Sequence, residues 1–146
     1  MLQRQLWSAV VMLLLSAGVA HADLDSYLNS LRISAAGNIG DYRVGLGAHF
    51  GASGAELDHV FLSVNDPGDA ALCFWLARNS GYPVDYVVKH YHKNKGKGWG
   101  ALAQSLGIKP GSAQFKALKA GQIGWDPPHK NKGNDKGKDK DKGKKK

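Results

Sequence analysis

At 146 residues and a formal net charge of +8, the chain suits one small domain plus a tail. Its single cysteine excludes an intrachain disulfide framework. The charge is uneven: residues 127–146 hold nine Lys against three Asp, whereas residues 23–126 hold ten Lys or Arg against nine acids, so the basicity belongs to the tail and not to the fold.

Met1–Ala22 opens with Arg4, continues as an apolar run from Leu6 to Val19, and ends in Ala20-His21-Ala22. This is the order of a secretory signal peptide with a small-residue cleavage site after Ala22. The competing reading is an uncleaved anchor. However, the uncharged stretch Gln5–Ala22 has only 18 residues and is diluted by Ser8, Ser16 and Gly18, while a spanning helix needs about 20 mostly apolar residues. No cysteine follows the run, which argues against lipoprotein processing. The mature chain is expected in the periplasm or outside the cell, away from ATP, NAD and chromosomal DNA.

Residues 23–125 read as a small all-α domain, an irregular bundle of five to six short helices. Leu24, Tyr27, Leu28 and Leu31 predict a first helix over 23–33, followed by a loop over Ala35–Gly40. Residues 41–50 fit a short strand by alternation and a helix by the spacing of Ile39, Tyr42, Leu46 and Phe50; helix is preferred although Gly45 and Gly47 weaken it. Ser53 and Glu56 have capping-box spacing ahead of Leu57, Val60, Phe61 and Val64. Asp66-Pro67 starts a helix that Gly81 closes, and its apolar residues on both faces mark it as the central one. Pro83 opens a helix that turns Val84, Val87, Val88 and Tyr91 inward. Trp99, Leu102, Ala103 and Leu106 form the next stripe, and Ser112 caps a last helix with Phe115 and Leu118. From Asp126 onward Pro, Lys, Gly, Asn and Asp predict a disordered basic tail.

Charge is also asymmetric within the domain. Residues 23–85 carry three Arg against eight acids, and residues 86–125 carry seven Lys and no acid. Either the two halves attract each other or both face water. Cys73 lies in an apolar stretch, as a buried inert thiol would.

Four features invite a function. Leu102-Ala103-x-x-Leu106-Gly107-Ile108 matches the first helix and turn of a helix-turn-helix reader, but Pro110-Gly111, Ala113 and Lys116 fit the second half poorly. The leader also argues against specific DNA binding. Lys93, Lys95, Gly96, Lys97, Gly98, Trp99 and Gly100 form a lysine- and glycine-rich loop able to cradle an anion, without Walker A spacing. His90 and His92 stand about 200° apart on a helix, so no metal site is expected. The tail is a mobile polycation suited to anionic polymers and to peripheral electrostatic contact with membranes. No cofactor motif and no catalytic residue can be identified, and Asp66 and Asp69 read as helix-capping acids.

The strings Tyr91–Gly100 and Leu106-Gly107-Ile108-Lys109-Pro110-Gly111-Ser112, with Phe115, resemble an uncharacterised family of small secreted bacterial proteins. The resemblance extends back through the Asp66-Pro67 helix and implies helix for 41–50. It supplies no substrate or catalytic residue. Where such chains carry His-x-Leu-Lys, this one has Lys116-Ala117-Leu118-Lys119.

The sequence therefore points to an exported, non-enzymatic helical module that binds anionic envelope polymers or a protein partner. Two alternatives stand beside it. One is a hydrolase or transferase acting on phosphorylated or acidic envelope components through the Lys93–Gly100 loop. The other, if the leader is not used, is a helix-turn-helix nucleic-acid binder.

Overall fold

The computed structural model describes residues 20–94 and 96–128. The leader assigned to residues 1–22 therefore lies outside the described residues up to position 19, as do Lys95 and the tail from position 129. Among the described residues seven helices follow one another: α1 (Ala20–Gly37), α2 (Ile39–Phe50), α3 (Gly54–Ser63), α4 (Pro67–Ser80), α5 (Val84–Lys93), α6 (Trp99–Ser105) and α7 (Ala113–Lys119). The described residues contain no strand, so the strand option for 41–50 is not taken. No described helix is long and apolar enough to cross a membrane.

The core forms around α4, whose residues Ala70–Leu76 are all buried. Helices α1, α2, α3 and α5 pack against it. Its start is fixed locally. The Asp66 carboxylate accepts the Asp69 N–H at 2.9 Å, and Pro67 occupies the first turn, where its missing N–H costs nothing. At the other end Gly81 takes φ 78° and donates its N–H to the Ala77 carbonyl. Close approach of α1 to α4 depends on Gly68: a Cβ there would stand 3.1 Å from the Leu28 carbonyl oxygen.

Helix α1 runs four residues beyond the predicted Ile33, and the expected loop 35–40 shrinks to Asn38. Ala35 is buried and completes the stripe Leu24, Leu28, Leu31, Ala35. One residue suffices because Asn38 caps α2: its side-chain oxygen accepts the Asp41 N–H at 3.1 Å. The glycines of α2, a weakness by helix propensity, have a packing role at Gly47. A Cβ there would meet Leu57 Cδ1 at 2.8 Å, so the Leu57 side chain of α3 would have to shift. The Ser53–Glu56 capping box forms in both directions, at 2.8 and 3.2 Å. The Ser53 backbone N–H and hydroxyl hold the exposed Glu56 carboxyl below its ordinary range.

After α7 the chain becomes a non-helical strap across α1 and α2. Ile123, Trp125 and Pro127 are buried along it, so packed structure continues past Asp126, where the sequence places the start of the tail. The Tyr27 hydroxyl donates to the Trp125 carbonyl at 2.6 Å. The Trp125 ring meets Tyr42 edge-on at 5.1 Å, and Tyr42 donates to the Pro67 carbonyl at 2.7 Å. One strap thus ties together the first two helices and the head of α4. Trp125→Ala is expected to cost about 3–5 kcal/mol through the cavity it leaves. A lower urea midpoint with an unchanged slope would register that loss, while the exposed control Lys89→Ala should stay within about 0.5 kcal/mol of the parent.

Candidate functional site

The loop between α5 and α6 is built by backbone demand. Asn94 ends α5, donating its own N–H to the His90 carbonyl at 3.0 Å and its side-chain Nδ2 to the same oxygen at 2.8 Å. Lys97 then donates its N–H back to the Asn94 carbonyl at 2.9 Å. Gly96 and Gly98 adopt φ of 95° and 89°, which side-chain-bearing residues avoid. This reversal turns Trp99 inward, where it stacks obliquely on Tyr91 with ring centroids 5.6 Å apart.

Trp99 and Gly98 are the shared wall of two hollows. On one side is a cavity of about 180 Å³ lined by Asp69, Tyr91, Asn94, Gly96 and Leu102 as well. On the other is a groove of about 440 Å³ between the start of α1, α6 and α7. Trp99, Leu24, Phe115 and Leu118 supply its apolar lining, and Lys97 and Lys119 its positive charge against Asp25. The Lys119 ammonium lies 5.4 Å from the centre of the Phe115 ring.

The predicted loop residues are therefore divided. Gly96 faces the cavity, Lys97 and Gly100 the groove, and Gly98 and Trp99 both. Lys93 is exposed at the end of α5 and lines neither hollow. The loop motif of the sequence does not reach Asp69, Tyr91 and Leu102 on the cavity side, or Asp25, Phe115 and Lys119 on the groove side. Asp69 was assigned to helix capping, but only Asp66 caps. The Asp69 carboxylate instead accepts the Tyr91 hydroxyl at 2.7 Å and Arg32 Nη2 at 3.3 Å. Arg32 also donates from Nε to Asp66 at 2.6 Å, so one guanidinium serves two carboxylates.

These contacts split the two acids. Burial raises the Asp69 carboxyl above its ordinary range, with the Asp66 charge adding to that rise, and the Tyr91 hydrogen bond only partly offsets it. Burial pushes Asp66 up as well. There the Arg32 hydrogen bond and charge, with the backbone N–H groups of Asp69 and Gly68, outweigh burial and hold it low. Burial, then the bond to Asp69, raises the Tyr91 phenol. Cys73 is fully buried, and burial followed by the Asp69 charge pushes its thiol up, away from the reactive thiolate.

Other sequence motifs resolve into packing. Leu102, Ala103, Leu106 and Ile108 are buried, and they seal the corner between α6 and α7. His90 stacks on Tyr86 at 4.4 Å, while His92 meets Tyr91 edge-on at 5.3 Å. Among the described residues no three His, Cys, Asp or Glu side chains cluster as metal ligands. No family model matches the chain, and comparison with curated proteins and with solved structures finds no match.

Tyr91→Phe removes a donor that lowers the Asp69 pKa, so Asp69 should titrate at higher pH in the variant. Carboxyl NMR titration checks this. The folded Asp69 already binds its proton to higher pH than the unfolded chain does. Its contribution therefore favours the fold at low pH and is lost as pH rises through the folded pKa; Asp66 has the opposite sign, losing its contribution as pH falls. The lost hydrogen bond should itself cost about 1–2 kcal/mol at neutral pH.

Proposed function

We propose that this protein is an exported, non-enzymatic module of the bacterial envelope that binds an anionic partner at the groove beside the 93–100 loop. The observation that carries this reading is the pairing of Lys97 and Lys119 with an apolar lining of Trp99, Phe115, Leu118 and Leu24. Such a surface suits a ligand with a negative group and an apolar body, as in an anionic lipid or an acylated acidic polymer. The lysines of residues 130–146 add long-range attraction with little specificity.

A second reading is favoured by one observation. Asp69 and Tyr91 share a cavity beside the same loop, which is the arrangement a general acid would need. In an enzyme acting on acidic or phosphorylated envelope components, Lys95 and Lys97 of the loop would be the anion clamp, Lys97 reaching the anion from the groove side of Trp99. Lys97→Ala would then abolish turnover while leaving the fold intact.

Two measurements test the leading reading. Fractionation with N-terminal sequencing should find the chain outside the cytoplasm, beginning at Asp23. Purified full-length mature protein should bind anionic vesicles and lipopolysaccharide at low salt and bind more weakly at high salt. The double variant Lys97→Glu, Lys119→Glu should weaken vesicle binding about tenfold even after removal of residues 127–146. Absence of binding at low salt, with or without the tail, would overturn the anionic reading.

A further inference from the structure

We propose that the hollow between Phe50, Phe74, Arg78 and Glu56 is a binding site for a free α-amino acid with an apolar side chain, taken as the zwitterion. It shares no lining residue with the groove or with the cavity beside Trp99.

The hollow lies where four helix ends meet. Phe50 is the last residue of α2, Glu56 stands in the first turn of α3, Arg78 in the last turn of α4, and Val84 opens α5. Gly51 makes the junction by taking φ 67°, which turns the chain out of α2 towards the Ser53 cap of α3. The chain is described without a break from Phe50 to Val84, so the whole lining is defined.

The two charged residues are held in place but not neutralised. Arg78 donates from Nη2 to the His49 carbonyl at 2.7 Å, and its guanidinium carbon lies 4.9 Å from the centre of the Phe50 ring. A guanidinium has several further N–H donors, and among the described residues no carboxylate pairs with this one. Glu56 takes both Ser53 bonds on a single oxygen: Oε2 accepts the backbone N–H and the hydroxyl, each at 2.8 Å. Those bonds hold the carboxyl below its ordinary range, so it is charged at neutral pH. Its Oε1 accepts no hydrogen bond among the described residues. Arg78 and Glu56 thus line one hollow without pairing with each other.

Between them the surface is apolar. Phe50 and Phe74 stack with ring centroids 6.2 Å apart and planes at 22°, and Ala77 and Val84 continue that floor. A cation and an anion beside an apolar floor match one compact ligand. Its carboxylate meets the Arg78 guanidinium, its ammonium the open Glu56 oxygen, and its side chain the rings. A purely anionic ligand would leave Glu56 opposed, and a purely cationic one would leave Arg78 opposed. A volume of about 290 Å³ accommodates an amino acid the size of leucine.

The test titrates the full mature chain with L-leucine at neutral pH and constant ionic strength. NMR follows the Phe50 and Phe74 ring signals. Two derivatives separate the charges: leucinamide lacks the carboxylate, and N-acetylleucine lacks the ammonium. Saturable shifts are expected with leucine, and about tenfold weaker binding with either derivative. Glu56→Gln keeps the capping box with Ser53, so the fold is retained. It should bind leucine about tenfold more weakly, no better than it binds N-acetylleucine. Arg78→Gln should likewise erase the preference for leucine over leucinamide, and it serves if Glu56→Gln does not fold.

No saturable shift with leucine, binding of both derivatives as tight as leucine itself, or a preference for leucine that survives these substitutions would each overturn the proposal. Nuclear Overhauser contacts from the two rings to lysines of residues 130–146 in the ligand-free chain would give the hollow to the tail, and would overturn it too. Neither Lys97 nor Lys119 lines this hollow. Failure of vesicle binding at the groove therefore leaves the proposal standing, and its own failure leaves the groove reading intact.

Discussion

A helix buried on every side must be covered on every side, and that requirement organises this molecule. Ala70–Leu76 presents no exposed face, so α1, α2, α3 and α5 each bring an apolar stripe to it. The individual stripes are short: Leu24, Leu28, Leu31 and Ala35 on α1, and Val84, Val87 and Val88 on α5. Helices of this length are marginal alone, and most of their stability comes from the shared core. The small residues Gly68, Ala70 and Ala71 let the neighbours approach closely enough to exclude water.

The same helix positions the polar site. Asp66 caps α4 with its carboxylate, which places Asp69 one turn in, where its own carboxylate shares the Arg32 guanidinium with Asp66. Arg32 from α1 and Tyr91 from α5 then converge on it. The geometry of the cavity is thus inherited from the packing of three helices, and Trp99 closes one side because two left-handed glycines reverse the chain there.

The electrostatic asymmetry of the sequence gains a location. Residues 23–85 supply Asp25 and Asp69, and the acid-free stretch 86–125 supplies Lys97 and Lys119. Both pairs meet around Trp99, acid on the cavity side and lysine predominating on the groove side.

What the sequence determined by itself was whatever is settled within about one helical turn. Ser53, Asp66, Gly81 and Ser112 mark helix ends because a cap reaches only the nearest free N–H or carbonyl. The all-helical class and the central place of α4 followed from the spacing and density of apolar residues. The one-residue joint at Asn38 is not legible in the sequence because Ala35–Gly40 reads as a loop until Ala35 finds the core. The strap was missed too, although burial at Ile123, Trp125 and Pro127 has a period of two that the sequence displays. Only tertiary structure could decide that Asp69 belongs to Tyr91 and Arg32, which lie 22 and 37 residues away, or that the 93–100 loop faces two hollows. Those partners are brought together by helix packing, and spacing along the chain carries no trace of which side of Trp99 each residue will occupy.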